Sequence, residues 1–286
     1  MRVFVYGTLM SGQRANHFLS GTTLIGKFRL ADYAMYNLGS YPGIRPLKGE
    51  SVVGEVYEIP EEILPQLDRY EGEGSLYHRI IVEVSNEIES TNAYAYLYQE
   101  DVACKPMRLA WGVKENDFVW YACYGSNLSA QRFECYIKGG VCTQNNKTYI
   151  GCKDKSHWQG NLIKTYKGRM YFGNESHSWG RKGVAFFDYG GEDTVIMRLY
   201  KITIGQLLEL QEQEGNSPNW YGRLLCLDVL ADGCPVYTIT SEKLTKENVP
   251  SNAYIELIKK ALIEECSLEE ADAIEYLDKC MKVGQV

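Results

Sequence analysis

Apolar residues in this chain come in short bursts closed by glycine. "RVFVYGT" (2–8) and "VWYACYGS" (119–126) are β-branched or aromatic runs that stop at Tyr-Gly and a hydroxyl residue. That is the pattern of a strand running into a turn. Apolar residues then return at helix-like spacing, in "NHFLS" after the first turn and at Leu128, Phe133 and Cys135–Ile137 after the second. Ser126 or Asn127 is the expected N-cap there. "PEEILPQLDRYE" (60–71) opens with Pro and two acids, good first-turn chemistry for a short helix, and Pro65 must sit near its first turn or kink it. Toward the end, Ala253, Leu257, Ile258, Ala261 and Leu262 form a helical stripe, and Ser267 with Glu270 has the signature of a capping box opening a second helix. Their charges read as a solvated face.

The order of features repeats. "GEVYEIPEEILPQLDRYEG" (54–72) lies over "IMRLYKITIGQLLELQEQEG" (196–215), with 14 residues from Tyr57 to Glu71 and 14 from Tyr200 to Glu214. Downstream, "LYHRIIVEV" (76–84) answers "WYGRLLCLDV" (220–229), and upstream "YPGIRP" (41–46) answers "RKGVAFF" (181–187), pairing Gly43 with Gly183. Tyr6 to Glu71 spans 65 residues and Tyr124 to Glu214 spans 90, so the second copy carries 25 more, expected as added strand and loop around "KSHWQGNLIKTYKGRMYFGNESHSWG". The boundary falls near Met107–Asn116 without a flexible linker, giving packed domains over 1–110 and 117–286. The expected fold is α+β: two tandem domains, each a small mixed β-barrel with short helices, followed by C-terminal helices.

Composition narrows the partners. Of 286 residues, 45% are apolar and 23% charged, a globular balance, and a cut before Asn116 leaves net charges of −4 and −3. Neither half has the basic field that nucleic acid demands. The nine cysteines include no Cys-x-x-Cys, and Cys123, Cys135, Cys142 and Cys152 fit no zinc spacing, so reduced thiols and no metal are expected. The first apolar run is too short for a signal peptide, and no stretch approaches a membrane span. A cytoplasmic protein without a membrane partner is the expectation; the oligomeric state stays open.

A strand that ends in glycine and feeds a helix leaves backbone N–H groups facing outward, which suits a carboxylate or an oxyanion. Taken alone, each Tyr-Gly turn is an ordinary strand-to-helix connection. Glu71 and Glu214 each close a predicted helix beside Gly, the end of the helix dipole that disfavours a carboxylate, and partial burial would raise either toward the range of a general base at neutral pH. Either alone reads as an exposed Glu-Gly turn. Their shared interval from Tyr57 and Tyr200 makes them candidates.

Tyr6-Gly7-Thr8-Leu9 with Leu67-Asp68-x-Tyr70-Glu71-Gly72 and Tyr77-x-Arg79 resembles the gamma-glutamylcyclotransferase superfamily, in its gamma-glutamylamine cyclotransferase/AIG2-like branch. Tyr124-Gly125-Ser126-Asn127-Leu128, "YFGNESHSWGRKGVAFFD" (171–188) and "PSNAY" (250–254) resemble the Tyr-Gly-Ser-Asn branch. The resemblance covers nearly the whole chain. It implies an enzyme that cyclises a small gamma-glutamyl amide to 5-oxoproline and releases an amine or amino acid, without cofactor. By the same resemblance Glu71 and Glu214 are the catalytic acid/base residues, while Tyr6, Gly7, Thr8, Leu9 and Tyr77, and Tyr124, Gly125, Ser126, Asn127 and Leu128, bind the substrate. "GNSPNWYGR" (215–223) is longer than its counterpart "GEGSLYHR" (72–79), so the copies are expected to differ in substrate, or one to be silent. The other reading is a non-catalytic module of the same fold that binds small metabolites, against which the retention of both glutamates weighs.

Overall fold

The structure, a computed structural model, describes residues 1–281. It divides into two compact units, 1–113 with 226–236, and 114–225 with 237–286. The segment 226–236 thus counts with the first unit, which a single cut between 110 and 117 does not anticipate.

The first unit is built on β1 (Arg2–Val5), β2 (Thr23–Asn37), β3 (Pro42–Glu58), α1 (Leu64–Glu71), β4 (Tyr77–Ser85), β5 (Ser90–Tyr98) and β6 (Met107–Arg108). The sheet order β3-β1-β5-β4-β2-β6, with β3 also paired to β2, closes five strands into a barrel. β1 is buried on both faces, which is why it reads as an unbroken apolar run. Phe4 and Tyr6 pack with Phe28, Ile44, Val56 and Val84, while Val3 and Val5 pack with Leu19, Tyr57 and Tyr96. Leu67 of α1 joins the latter group and is fully buried, which contributes about 1.5–3 kcal/mol. "NHFLS" forms only a 3-10 turn, Asn16–Leu19. The expected helix over 60–71 starts with a 3-10 turn, Glu61–Ile63, and becomes α-helical at Leu64, so Pro65 sits in its first turn, where the missing N–H costs nothing.

The second unit contains β7 (Phe118–Cys123), α2 (Ala130–Lys138), β8 (Gly140–Cys142), β9 (Lys147–Tyr149), β10 (Asn161–Lys167), β11 (Arg169–Ser176), β12 (Lys182–Asp188), β13 (Thr194–Thr203) and α3 (Ile204–Glu214), then parts of β14 (Arg223–Val229) and β15 (Pro235–Thr240), whose residues 226–229 and 235–236 count with the first unit, and α4 (Asn252–Glu264) and α5 (Glu270–Met281). β10-β13-β7-β15-β14 make one sheet; β11-β12 and β8-β9 make two-stranded ones. The long β2–β3 hairpin of the first unit is thus represented by two pairs, β10–β13 and β11–β12.

Strand register repeats between the units. Val3 faces Tyr57 and Val5 faces Glu55, while Tyr121 faces Tyr200 and Cys123 faces Arg198. One pairing read from sequence needs correction. The Tyr77 hydroxyl donates to the Pro42 carbonyl at 2.7 Å and the Tyr221 hydroxyl to the Ala185 carbonyl at 2.8 Å. Pro42 therefore corresponds to Ala185, and Gly43 to Phe186 rather than Gly183. Each of Pro42 and Ala185 then lies 29 residues before its glutamate, so all 25 extra residues fall between the Tyr-Gly turn and Ala185.

Three helix details also differ. α2 is capped by Ser129, whose hydroxyl accepts from Arg132 N, because Ser126–Leu128 form a 3-10 turn before it. The Ser267 capping box does not form: Ser267 has φ 59°, outside the extended region that an N-cap adopts, and α5 starts at Glu270. The buried stripe of α4 runs through Tyr254, Ile258, Ala261 and Leu262, with Tyr254 in place of the exposed Ala253. A capping box that sequence reading passed over, Thr203 with Gln206, starts α3. Among the described residues no helix is long and apolar enough to cross a membrane, and the nine cysteines are free thiols.

Gly54 marks how tightly the first barrel closes. A Cβ there would lie 2.5 Å from the Val5 carbonyl oxygen and 2.6 Å from the Phe4 ring. Gly54→Ala is therefore expected to lower unfolding stability by about 1–3 kcal/mol in urea titration.

Candidate active sites

In the first unit, β1 delivers Tyr6 and Gly7 to the wall of a cavity of about 200 Å³. Tyr6 donates its hydroxyl to the Tyr96 carbonyl, locking the turn onto β5. Gly7 is required by space: a Cβ would lie 2.6 Å from the Pro42 ring. Thr8 Oγ1 and the Tyr70 hydroxyl are 2.9 Å apart, tying the turn to α1. The backbone N–H groups of Thr8 and Leu9 find no protein acceptor among the described residues.

Glu71 closes α1 and lines the same cavity, and Gly72 follows in the left-handed region with φ 67°. Burial raises the Glu71 carboxyl from the ordinary 4.5 to about 7. The helix end is held by Asp68, which takes two hydrogen bonds from Arg79 Nη1 at 2.9 and 2.8 Å and one from the Tyr96 hydroxyl at 2.8 Å. Burial, with Glu71 nearby, raises the Tyr77 and Tyr6 hydroxyls far above their usual range, so both stay protonated donors.

The second unit repeats the plan with different neighbours. Tyr124 donates to the Ile239 carbonyl at 2.8 Å. A Cβ on Gly125 would lie 2.9 Å from the Ala185 side chain. The N–H groups of Ser126 and Asn127, like those of Thr8 and Leu9, find no protein acceptor among the described residues. Glu214 closes α3 ahead of Gly215, φ 98°, and accepts from Asn127 Nδ2 at 2.8 Å. Two cavities meet at Ser126, Glu214, Tyr221 and Tyr254: a chamber of about 40 Å³ toward the turn and a larger one of about 400 Å³ outside it. Burial raises the Tyr221 and Tyr254 hydroxyls above their ordinary value.

Each loop is fastened from the neighbouring strand by a buried charge of opposite sign. Glu55 on β3 accepts from Ser11 N at 2.7 Å; Arg198, in the matching place on β13, donates to the Leu128 carbonyl at 3.0 Å and pairs with Glu265 at 2.6 Å.

The structure therefore brings Tyr6, Gly7, Thr8, Leu9 and Tyr77 together with Glu71, and Tyr124, Gly125, Ser126 and Asn127 together with Glu214. Leu128 differs. Its side chain is fully buried and its carbonyl is taken by Arg198 and Tyr200, so it belongs to the core. Sequence reading missed Asp68 as a support, Tyr254 as a wall, and two arginines. Arg14 and Arg132 each lie eight residues after the Tyr of their turn, each preceded by Gln, and that shared Gln-Arg was the available signal. Arg14 is exposed at the first cavity; Arg132 is buried at the second, donating to Ser126 Oγ at 2.8 Å and the Tyr149 hydroxyl at 3.0 Å. Among the described residues no group of three or more His, Cys, Asp or Glu could hold a metal ion.

The family model described as gamma-glutamyl cyclotransferase, AIG2-like, matches residues 3–118. The gamma-glutamylcyclotransferase family protein YtfP of Escherichia coli is 37% identical over 102 residues, 36% of this chain and 86% of that protein. Histone deacetylase 5 of Arabidopsis thaliana is 31% identical over 203 residues, 57% of this chain; the chain spans only 31% of that relative's length. Among solved structures, YkqA from Bacillus subtilis aligns over 99% of both chains with 21% identity and a TM-score of 0.46. On the extent and identity of the match to YtfP, the chain belongs to the gamma-glutamylcyclotransferase family.

Proposed function

We propose that the chain cleaves gamma-glutamyl amides by ring closure, giving 5-oxoproline and a free amine, with Glu71 as the proton shuttle in the first unit and Glu214 in the second. The observation that carries this reading is Glu71. A carboxyl raised to about 7 lines one small cavity with a glycine turn whose Thr8 and Leu9 N–H groups have no protein acceptor among the described residues.

The chemistry asks little more of the protein. The substrate's α-ammonium gives a proton to the glutamate, and the freed nitrogen attacks the substrate's own γ-carbonyl. A carbon–nitrogen bond forms, the bond to the departing amine breaks, and the glutamate carries protons from one nitrogen to the other. Two protons leave the attacking nitrogen and two reach the departing one, so the carboxylate ends as it began. Both reacting groups belong to one molecule, so holding that molecule folded supplies much of the rate. The turn N–H groups would receive the α-carboxylate, and Tyr77 or Tyr221, fixed to the opposite strand, would shape the wall.

Incubation of the protein with a panel of gamma-glutamyl amides is expected to release 5-oxoproline. The E71Q/E214Q chain should lose at least about 100-fold in rate while its melting temperature does not fall. Saturable binding in calorimetry with no product from the wild-type chain would favour a binding module, and full activity in the double variant would refute the assignment of the glutamates.

Glu71 also makes stability depend on pH. Its carboxyl is raised in the folded chain, so folding favours the protonated form: the contribution is fully present below about pH 4.5 and is lost as the pH rises through about 7. Glu71→Gln is therefore expected to stabilise the fold at pH 8 by up to about 3 kcal/mol in urea titration, with the gain vanishing near pH 4. In an E214Q background, the rate left to the first site should rise through about pH 7 as Glu71 ionises.

A further inference from the structure

The Asn127 side chain uses only one of its two ends. Nδ2 donates to Glu214 Oε1 at 2.8 Å and lies 3.3 Å from the Tyr121 hydroxyl. Oδ1 is buried without a hydrogen-bond partner among the described residues. In this orientation the amide turns its N–H groups toward the acceptor oxygens of Glu214. Asn127 is 5% exposed, and it lines the 40 Å³ chamber together with Gly125, Glu214 and Tyr221. A carbonyl buried there without a donor weakens the fold, and a ligand N–H offsets that cost. The matching position in the first unit is Leu9, which is 2% exposed, lines the first cavity and offers no acceptor. Glu71 accepts no hydrogen bond among the described residues.

We propose that Asn127 Oδ1 and the Glu214 carboxylate together receive two N–H groups of the substrate's α-ammonium, making Asn127 the residue by which the second site selects for a free amine. The inference rests on the ring-closure reading above and names the group that reads the attacking nitrogen. With one N–H held by Oδ1, the proton passed to Glu214 leaves the nitrogen lone pair in a fixed direction. The first site, with Leu9, holds the amine through Glu71 alone and discriminates less against ligands that lack it.

The test uses L-glutamine and glutaramic acid, which is the same molecule without the α-amine. In the E71Q chain turnover reports the second site, and in the E214Q chain the first. Both probes compete with 5-oxoproline release from γ-L-glutamyl-p-nitroanilide. The ratio of inhibition constants, glutaramic acid over L-glutamine, is expected to be about tenfold or more larger at the second site than at the first. Adding N127L to the E71Q chain should bring that ratio down to the first-site value, since leucine already fills the matching position there. Equal ratios at the two sites overturn the proposal. So does an N127L chain that binds both probes more weakly by one common factor, as a merely structural role would have it. If N127L fails to fold, the comparison of E71Q with E214Q decides. Calorimetric titration of the wild-type and N127L chains with the same two probes needs no turnover. Absence of 5-oxoproline would then defeat the ring-closure reading, while the calorimetric ratio still tests the role of Asn127.

Discussion

The close approach of a glycine to the strand beside it governs both candidate sites. Gly7 lies against Pro42 and Gly125 against Ala185 at separations that leave no room for a Cβ. A tyrosine hydroxyl, from Tyr77 or Tyr221, bonds the carbonyl of the same strand residue from the other side. The turn, the strand and the tyrosine are thereby fixed to one another, and the turn's unbonded N–H groups are held opposite the end of a helix. A larger residue in place of the glycine would move the turn outward and take those N–H groups away from the glutamate.

Around this common constraint the two units differ. Glu55 holds its loop by accepting from an N–H, and Arg198 holds the matching loop by donating to a carbonyl. Opposite charges do one mechanical job because a loop offers both kinds of backbone group. The glutamates differ as well. Glu71 sits in a small cavity whose burial raises it to about 7, next to Leu9, whereas Glu214 faces an amide donor and opens onto a cavity of about 400 Å³. A fold that keeps its glycine, tyrosine and glutamate can thus vary the residue after the turn hydroxyl and the size of the outer space, and so vary what it accepts.

The support behind each glutamate follows the same logic. Asp68 ties the last turn of α1 to β4 and β5 through Arg79 and Tyr96. In the second unit α3 begins with the Thr203–Gln206 box, and Gln213, next to Glu214, donates to the Tyr136 carbonyl at 3.0 Å. Asp68 and Gln213 each fix a helix C-terminus, which the dipole alone would leave an unfavourable place for a carboxylate.

The sequence by itself determined the repeat, the strands that end in Tyr-Gly, the helices that end in Glu-Gly, and the interval that pairs each glutamate with its tyrosine. These are local facts: alternation, glycine punctuation and spacing along one chain. What only the tertiary structure decided involves residues far apart in sequence. It aligned Pro42 with Ala185 through their tyrosines, placed Leu128 in the core and Tyr254 at the cavity wall, and capped α2 at Ser129. It also raised Glu71 and left Glu214 bonded to Asn127. Burial and hydrogen-bond partners depend on which surfaces meet, and that is set when strands 50 to 91 residues apart pair.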